Sequence, residues 1–371
     1  MSTIAASARM TELAAIIGEQ HVVESRSALG ALAVDGVVAA ISVSPGNADE
    51  IAAVLRYAYE RDLVVVPTGG MVHQEIGYAP SQVDILLRTE RLVEIEHYDP
   101  GDLTIGVGAG FTIHDLQALL RDQGQMFPVD LAHSDRVTVG GAMAVAAHGP
   151  MKHFFGGLRE FCIGVRFVTA DGVRGKGGGR VVKNVAGFDL MKLMIGSYGT
   201  LGVITSASFK LFPMPRQTRT FVGEFATSAE AIRFRDAVVN SPLAPLCVEL
   251  LSPGAGSGSW SIAVRAGGSD RVLARYASEL GSAVTRALDG AEEQKFWSDV
   301  DMLGENSPVK VKLSMPAESV GAALESVDRL ARENGLSYSV WGRAATGSLF
   351  LALENGMAEA YVGVVKKLRE S

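Results

Sequence analysis

Cysteine is almost missing from this chain. Cys162 and Cys247 are the only two in 371 residues, which excludes a disulfide scaffold and supplies too few thiolates to hold an iron–sulfur cluster. Histidine stops early: all seven lie at or before His153, so the C-terminal half has no imidazole to offer as a base or in a metal site. Basic residues are not in excess. With 34 Lys+Arg against 41 Asp+Glu the net charge is −7, and nothing in it points to nucleic acid as a partner. No apolar run approaches the ~20 residues that a membrane helix needs. The opening M-S-T-I-A-A-S-A-R-M-T-E-L sets no basic region before an apolar core, so no secretory signal is expected and the expected compartment is the cytoplasm. What remains is a composition with 47% hydrophobic and 20% charged residues. It suits a folded globular protein large enough for two or more domains.

Thr11 to Gly18 reads as a short helix closed by its glycine. Val37 to Val43 reads as a strand, Pro45 to Asp62 as a helix capped by Asn47, and Leu63 to Val66 as a buried strand. The helix carries Ile51, Val54, Leu55 and Ala58 on its apolar stripe. Strand, helix and strand at these spacings predict a βαβ unit with a parallel pair. The second strand runs into a loop from Pro67 to Gly77. Its adjacent glycines expose several backbone N–H groups, which suits a diphosphate, although turns of this pattern are mostly just turns. G-V-G-A-G-F, from Gly106 to Phe111, is not a dinucleotide fingerprint, because Phe111 stands where the last glycine belongs. It reads as strand, turn and a helix from Ile113 to Gln123 capped by Thr112. Val137 to Pro150 is rich in small residues, which permits tight packing or close approach to a flat ring. K-G-G-G-R, residues 176–180, reads as a mobile loop, with phosphate binding as the other reading.

The stretch from Val181 to Phe212 organises the chain. Asp189 is placed to cap a helix carrying Leu190, Leu193 and Met194, and Gly196, Gly199 and Gly202 follow at intervals of three. Those glycines either turn the backbone or let it lie against a flat ligand. From Val203 the pattern alternates: Val203, Ala207, Phe209 and Leu211 share one face, while Ser206, Ser208 and Lys210 share the other. Beyond Pro215 strands and helices alternate as an α+β layer up to a final helix from Ala358 to Arg369.

K-N-V-A-G-F-D-L-M-K-L and G-S-Y-G-T-L-G-V-I resemble the end of the FAD-binding domain in the vanillyl-alcohol oxidase (PCMH-type) flavoprotein superfamily. More narrowly, they resemble the FAD-binding E subunit of bacterial glycolate oxidase. The resemblance runs from Val43 to Pro215 and implies an α+β fold. A two-subdomain PCMH-type FAD-binding domain would occupy residues 1–215 and a smaller α+β cap domain residues 216–371. The resemblance implies non-covalent FAD and places its contacts on three segments. The pyrophosphate loop, usually P-R-G-G-G-T, falls on Pro67, Thr68, Gly69, Gly70, Met71, Val72 and Gly77. Thr68 stands in place of arginine, Met71 of the third glycine and Val72 of threonine. The segments that wrap the ribityl chain and ring fall on Pro128, Asp130, Thr138, Gly140, Gly141, Ala144 and Gly149. The hairpin and strand contribute Tyr198, Gly199, Gly202, Val203 and Ile204. Catalytic dehydrogenase subunits often carry an acid where Tyr198 stands. His73 sits three residues past Gly70, whereas histidines that bond flavin covalently directly follow the glycine pair.

The resemblance also implies partners: a catalytic flavoprotein subunit, and an iron–sulfur subunit passing electrons to the membrane. A small 2-hydroxy acid such as glycolate would be the substrate of the complex, and any place at the inner membrane would be peripheral, through a partner. Metal-assisted 2-hydroxy-acid dehydrogenases of the superfamily carry a histidine pair near the C-terminus. W-G-R-A-A-T-G-S-L-F-L-A-L-E has none, so no metal site is expected. Met151, Lys152, His153 and Phe154 replace the several arginines that related subunits show after the equivalent of Pro150. Glu249, Glu354 and Arg343 read as ordinary surface or strand charges, and no catalytic residue is assigned. The alternative readings are a self-sufficient FAD-dependent D-2-hydroxy acid dehydrogenase and a non-catalytic assembly subunit.

Overall fold

The computed structural model describes residues 3–180, 188–256 and 258–370, with side chains from residue 8 onward. Residues 183–187, the K-N-V-A-G part of the motif, lie outside the described residues. The chain divides into two compact units. The first holds Met1–His148 and Gly156–Met214, and the second holds Gly149–Phe155 and Pro215–Ser371.

The first unit begins with α1 (Thr3–Ile17), β1 (Val22–Val23), α2 (Arg26–Gly30), β2 (Ile41–Val43), α3 (Ala48–Tyr59), β3 (Val65–Thr68) and β4 (Ile85–Arg88). Asn47 caps α3 as expected, accepting from the amides of Asp49 and Glu50 at 3.0 and 2.9 Å. The strands order as β1-β2-β4-β3, with β2, β4 and β3 parallel. The expected strand–helix–strand is present, but its two strands are not partners, because β4 lies between them. The side chains explain the order. Ile85, Leu86 and Leu87 of β4 are fully buried and suit a central strand. β3 contains Pro67, which cannot donate to a ladder and suits an edge.

The unit continues with β5 (Ile95–Asp99), β6 (Thr104–Gly108), α4 (Ile113–Arg121), β7 (Gln125–Met126) and α5 (Val139–Ala144). The short helix α6 (Lys152–Phe155) belongs to the second unit. Then follow α7 (Leu158–Phe161), β8 (Cys162–Val168), β9 (Arg174–Gly178), α8 (Leu190–Met194), β10 (Val203–Lys210) and β11 (Phe212–Pro213). Five of these strands form an antiparallel sheet, β5-β6-β10-β8-β9. The K-G-G-G-R stretch is therefore not a mobile loop. Most of it is the edge strand β9, with Lys176 opposite Arg166. Glycine is needed there because α8 lies against the strand: a Cβ at Gly177 would stand 2.7 Å from the Leu190 Cβ. Phe127, Phe161 and Phe209 close the core, with ring centroids 5.4 and 4.9 Å from Phe127.

The second unit is built on β12 (Gln217–Phe225), α9 (Ser228–Val239), β13 (Cys247–Leu251), β14 (Trp260–Gly268), α10 (Asp270–Leu280) and β15 (Arg286–Leu288). It continues with α11 (Gly290–Asp301), β16 (Val309–Ser314), α12 (Val320–Glu333), β17 (Ser337–Arg343), β18 (Ser348–Glu354) and α13 (Ala358–Glu370). The strands form one antiparallel sheet, β15-β12-β14-β13-β17-β18-β16. Met151 and Phe155 pack here, against a cluster containing Cys247, Leu251, Trp297 and Trp341.

Glu249 and Arg343 lie on strands of this sheet, but they are not ordinary charges. They are 1% and 4% exposed, with Arg343 Nε 3.5 Å from Glu249 Oε1. Burial pushes the Glu249 carboxyl up to about 7; Arg343 opposes the shift and Asp301 adds to it. A carboxyl raised in this way binds more protons folded than unfolded. Its contribution to stability is complete below its unfolded value and is lost as pH rises through 7. All three tryptophans, Trp260, Trp297 and Trp341, lie in the second unit, so their fluorescence follows its unfolding. Between its unfolded value and pH 7 the stability so measured should fall by up to about 1.4 kcal/mol per pH unit. Glu249→Gln should flatten that slope, and an unchanged slope in the variant would assign the pH dependence to another group.

Candidate functional site

β3 ends at Thr68 and the chain turns at once into the glycine loop. The amides of Gly69, Gly70, Met71 and Val72 donate to no acceptor among the described residues. Met71 has φ 57, and a left-handed residue within a turn swings successive N–H groups toward one side, making a concave anion nest. The loop is braced from behind. Arg136 Nη2 donates to the Gly70 carbonyl at 3.2 Å. A Cβ at Gly70 would overlap the Arg136 carbonyl, and one at Gly69 would overlap Thr138 Oγ1. Both glycines are thus required by packing within the protein itself.

α5 forms the second wall. Thr138 caps it, accepting from the Gly141 amide at 3.2 Å, while the amides of Val139 and Gly140 donate to Phe111 and Ala109 at 2.8 Å each. The start of α5 has no amides left over, so it offers a surface and the 69–72 loop offers the donors. Gly141 differs from the loop glycines. A Cβ there would meet only Thr138 Oγ1, at 3.1 Å. The third wall is the hairpin ahead of β10, tied to α5 by the Tyr198 amide, which donates to the Ala144 carbonyl at 2.8 Å.

These walls enclose one cleft. It brings together Pro67, Thr68, Gly69, Gly70, Met71, Val72, Thr138, Gly140, Gly141, Ala144, Tyr198, Gly199, Gly202, Val203 and Ile204. Gly77, Pro128 and Asp130 are not in its lining, and Gly149 is part of the second unit. Gln74, Ile76, Thr89, Val137 and Val145 also line it without a sequence signal of their own. Arg136 was missed too, although a basic residue two positions before T-V-G-G was its visible trace. Among the described residues, no Asp, Glu, Lys or Arg lines the cleft. Thr68 Oγ1 is buried there without a hydrogen-bond partner. Successive free amides, no carboxylate to repel phosphate, and apolar walls from Val137, Val203 and Ile204 fit a diphosphate joined to a flat ring.

Residues 39–174 match the family described as FAD binding domain. That stretch is a PCMH-type FAD-binding domain, and FAD is its cofactor. The chain is 42% identical over 123 residues to the glycolate oxidase subunit GlcE of Escherichia coli strain K12, covering 33% of this chain and 35% of that protein. It is 32% identical over 211 residues to a D-lactate dehydrogenase of Archaeoglobus fulgidus, covering 57% of this chain and 47% of the relative. The chain thus spans less than half the length of these curated relatives. Among solved structures, p-cresol methylhydroxylase with substrate bound superposes with a TM-score of 0.80 at 14% identity, covering 99% of this chain and 87% of that one. That likeness shows the fold.

His73 lines the same cleft, three residues past Gly70. Acid precipitation of the purified protein should release all its flavin into the supernatant. Flavin fluorescence retained on the denatured chain would show a covalent bond.

Proposed function

We propose that this chain is the FAD-binding, E-like subunit of a glycolate-oxidase-type complex. In this reading it works in the cytoplasm beside a catalytic flavoprotein subunit and an iron–sulfur subunit that passes electrons on. The complex oxidises glycolate or a similar small 2-hydroxy acid. The observation that carries the reading is the cleft itself, which among the described residues has four free amides for a diphosphate and no side chain suited to holding a substrate carboxylate. Bound FAD supplies the two-electron acceptor chemistry. The amides of residues 69–72 hold its phosphates, Arg136 fixes that loop, and α5 and the hairpin shape the walls. The likeness to GlcE supports the subunit role. Among the described residues no helix is long and apolar enough to cross a membrane, so a place at the inner membrane would come through a partner. A second reading, a self-sufficient D-2-hydroxy acid dehydrogenase, draws support from the likeness to the D-lactate dehydrogenase. A third, a non-catalytic assembly subunit, draws on the departures at Thr68, Met71 and Val72. Co-purification from the native host followed by an absorption spectrum tests all three. Flavin bands together with partner proteins carrying an iron–sulfur chromophore are expected. A colourless chain would favour the assembly role, and an active yellow protein without partners would favour the dehydrogenase.

A further inference from the structure

A second cavity lies along the sheet of the first unit and shares no lining residue with the flavin cleft. It encloses about 130 Å³ between β8, β9 and β10. The strand register sets Lys176 of β9 beside Arg166 of β8, and Arg166 beside Ser206 of β10. The next row sets Gly178, Gly164 and Ser208 side by side. Arg180, just past the end of β9, also lines the cavity, and among the described residues Glu96 is its one acid. Glu96 is engaged, since Arg166 Nη1 donates to its carboxylate at 2.5 Å. Lys176 and Arg180 have no ion-pair partner among the described residues. The cavity therefore carries two cations in excess of its acid.

Ser206 and Ser208 are 5% and 8% exposed. β10 is paired on both edges, with β6 and β8, so its side chains are what it presents to the cavity. Neither hydroxyl makes a hydrogen bond to a described residue, yet neither is sealed from solvent contact. Two hydroxyls more than nine-tenths buried, aimed into a cavity under unpaired cations, are donors arranged for an oxyanion. Lys176 and Arg180 are exposed and Arg166 is half exposed, but a strand packed only for stability would put apolar residues at positions as buried as Ser206 and Ser208.

We infer that this cavity is a binding site for a small phosphate-type dianion, held by Lys176, Arg166 and Arg180 from above and by Ser206 and Ser208 from the sheet. Two excess positive charges match a dianion better than a monocarboxylate. The site does not depend on the reading of the flavin cleft.

The test is calorimetric titration of the purified, flavin-loaded full chain with inorganic phosphate, at ionic strength held constant with sodium chloride. Saturable one-site binding is expected. Lys176→Gln with Arg180→Gln should weaken it roughly tenfold, because each is a partly solvated ion contact. Ser206→Ala should weaken it severalfold with no change in flavin content. Absence of saturable binding would overturn the site. So would binding that appears only after the flavin is stripped and is indifferent to the double substitution, since phosphate would then sit on the loop amides. Glycolate binding more tightly than phosphate, and lost in the same double variant, would overturn the assignment of ligand class.

Discussion

Gly141→Leu should yield a folded protein without flavin. A Cβ at this position meets only the capping Thr138 hydroxyl, at 3.1 Å, so α5 can keep its form, and the rest of a leucine side chain must enter the cleft that Gly141 lines. Filling that space excludes the cofactor by overlap rather than by unfolding. The contrast is Gly140, where a Cβ would press on the Ala109 Cβ at 2.8 Å, so that loss of flavin there would be mixed with loss of core packing. The measurement is flavin absorbance per chain beside the far-ultraviolet circular dichroism spectrum. At least a tenfold fall in flavin occupancy with an unchanged spectrum is expected. Full occupancy in the leucine variant would move the ring away from α5.

The second large effect concerns turnover. Anaerobic mixing of the purified single chain with excess glycolate, D-lactate or D-2-hydroxyglutarate should leave the flavin oxidised, and addition of the proposed partner subunits should bleach it. Removing a hydride from a 2-hydroxy acid requires a base for the hydroxyl proton, and such a base is worth roughly 10²–10⁴ in rate. Among the described residues the cleft is lined by no Asp, Glu, Lys or Arg, and no histidine follows His153. Among the described residues its titratable side chains are His73 and Tyr198. His73→Gln would thus be the first variant to make if bleaching occurred without a partner. Rapid reduction by any of the three acids would transfer the proposal to the self-sufficient dehydrogenase.

The cleft was legible in the sequence where its parts are local. Asn47, Thr112 and Asp189 cap their helices as read, because capping needs only a short side chain and the next turn. The glycine loop was found by its adjacent glycines, but their reason was not: Gly69 and Gly70 answer to Arg136 and Thr138, some seventy residues on, and no local pattern shows that approach. The order of the parallel strands was hidden for a related reason. Ile85 to Leu87 occupy the centre because they are apolar on both faces, which decides between strands only once all are present. The burial of Glu249 and Arg343 was invisible, since each depends on strands far apart in the chain. β9 was misread because glycines that admit a neighbouring helix look the same in sequence as glycines that loosen a loop.

Residues 149–155 also bear on how the molecule is made. They are synthesised in the middle of the first unit but take their places in the second. Met151 and Phe155 find their apolar neighbours only when Cys247, Leu251, Trp297 and Trp341 have emerged, about ninety residues later for the earliest of them. At ordinary synthesis rates that is a wait of roughly 5–20 s. For that interval a nascent first unit carries an apolar hook that it cannot bury in its own core. A gene fragment cut after Met214 would make the interval permanent. Such a fragment should self-associate, and one in which Met151 and Phe155 are changed to serine should do so less.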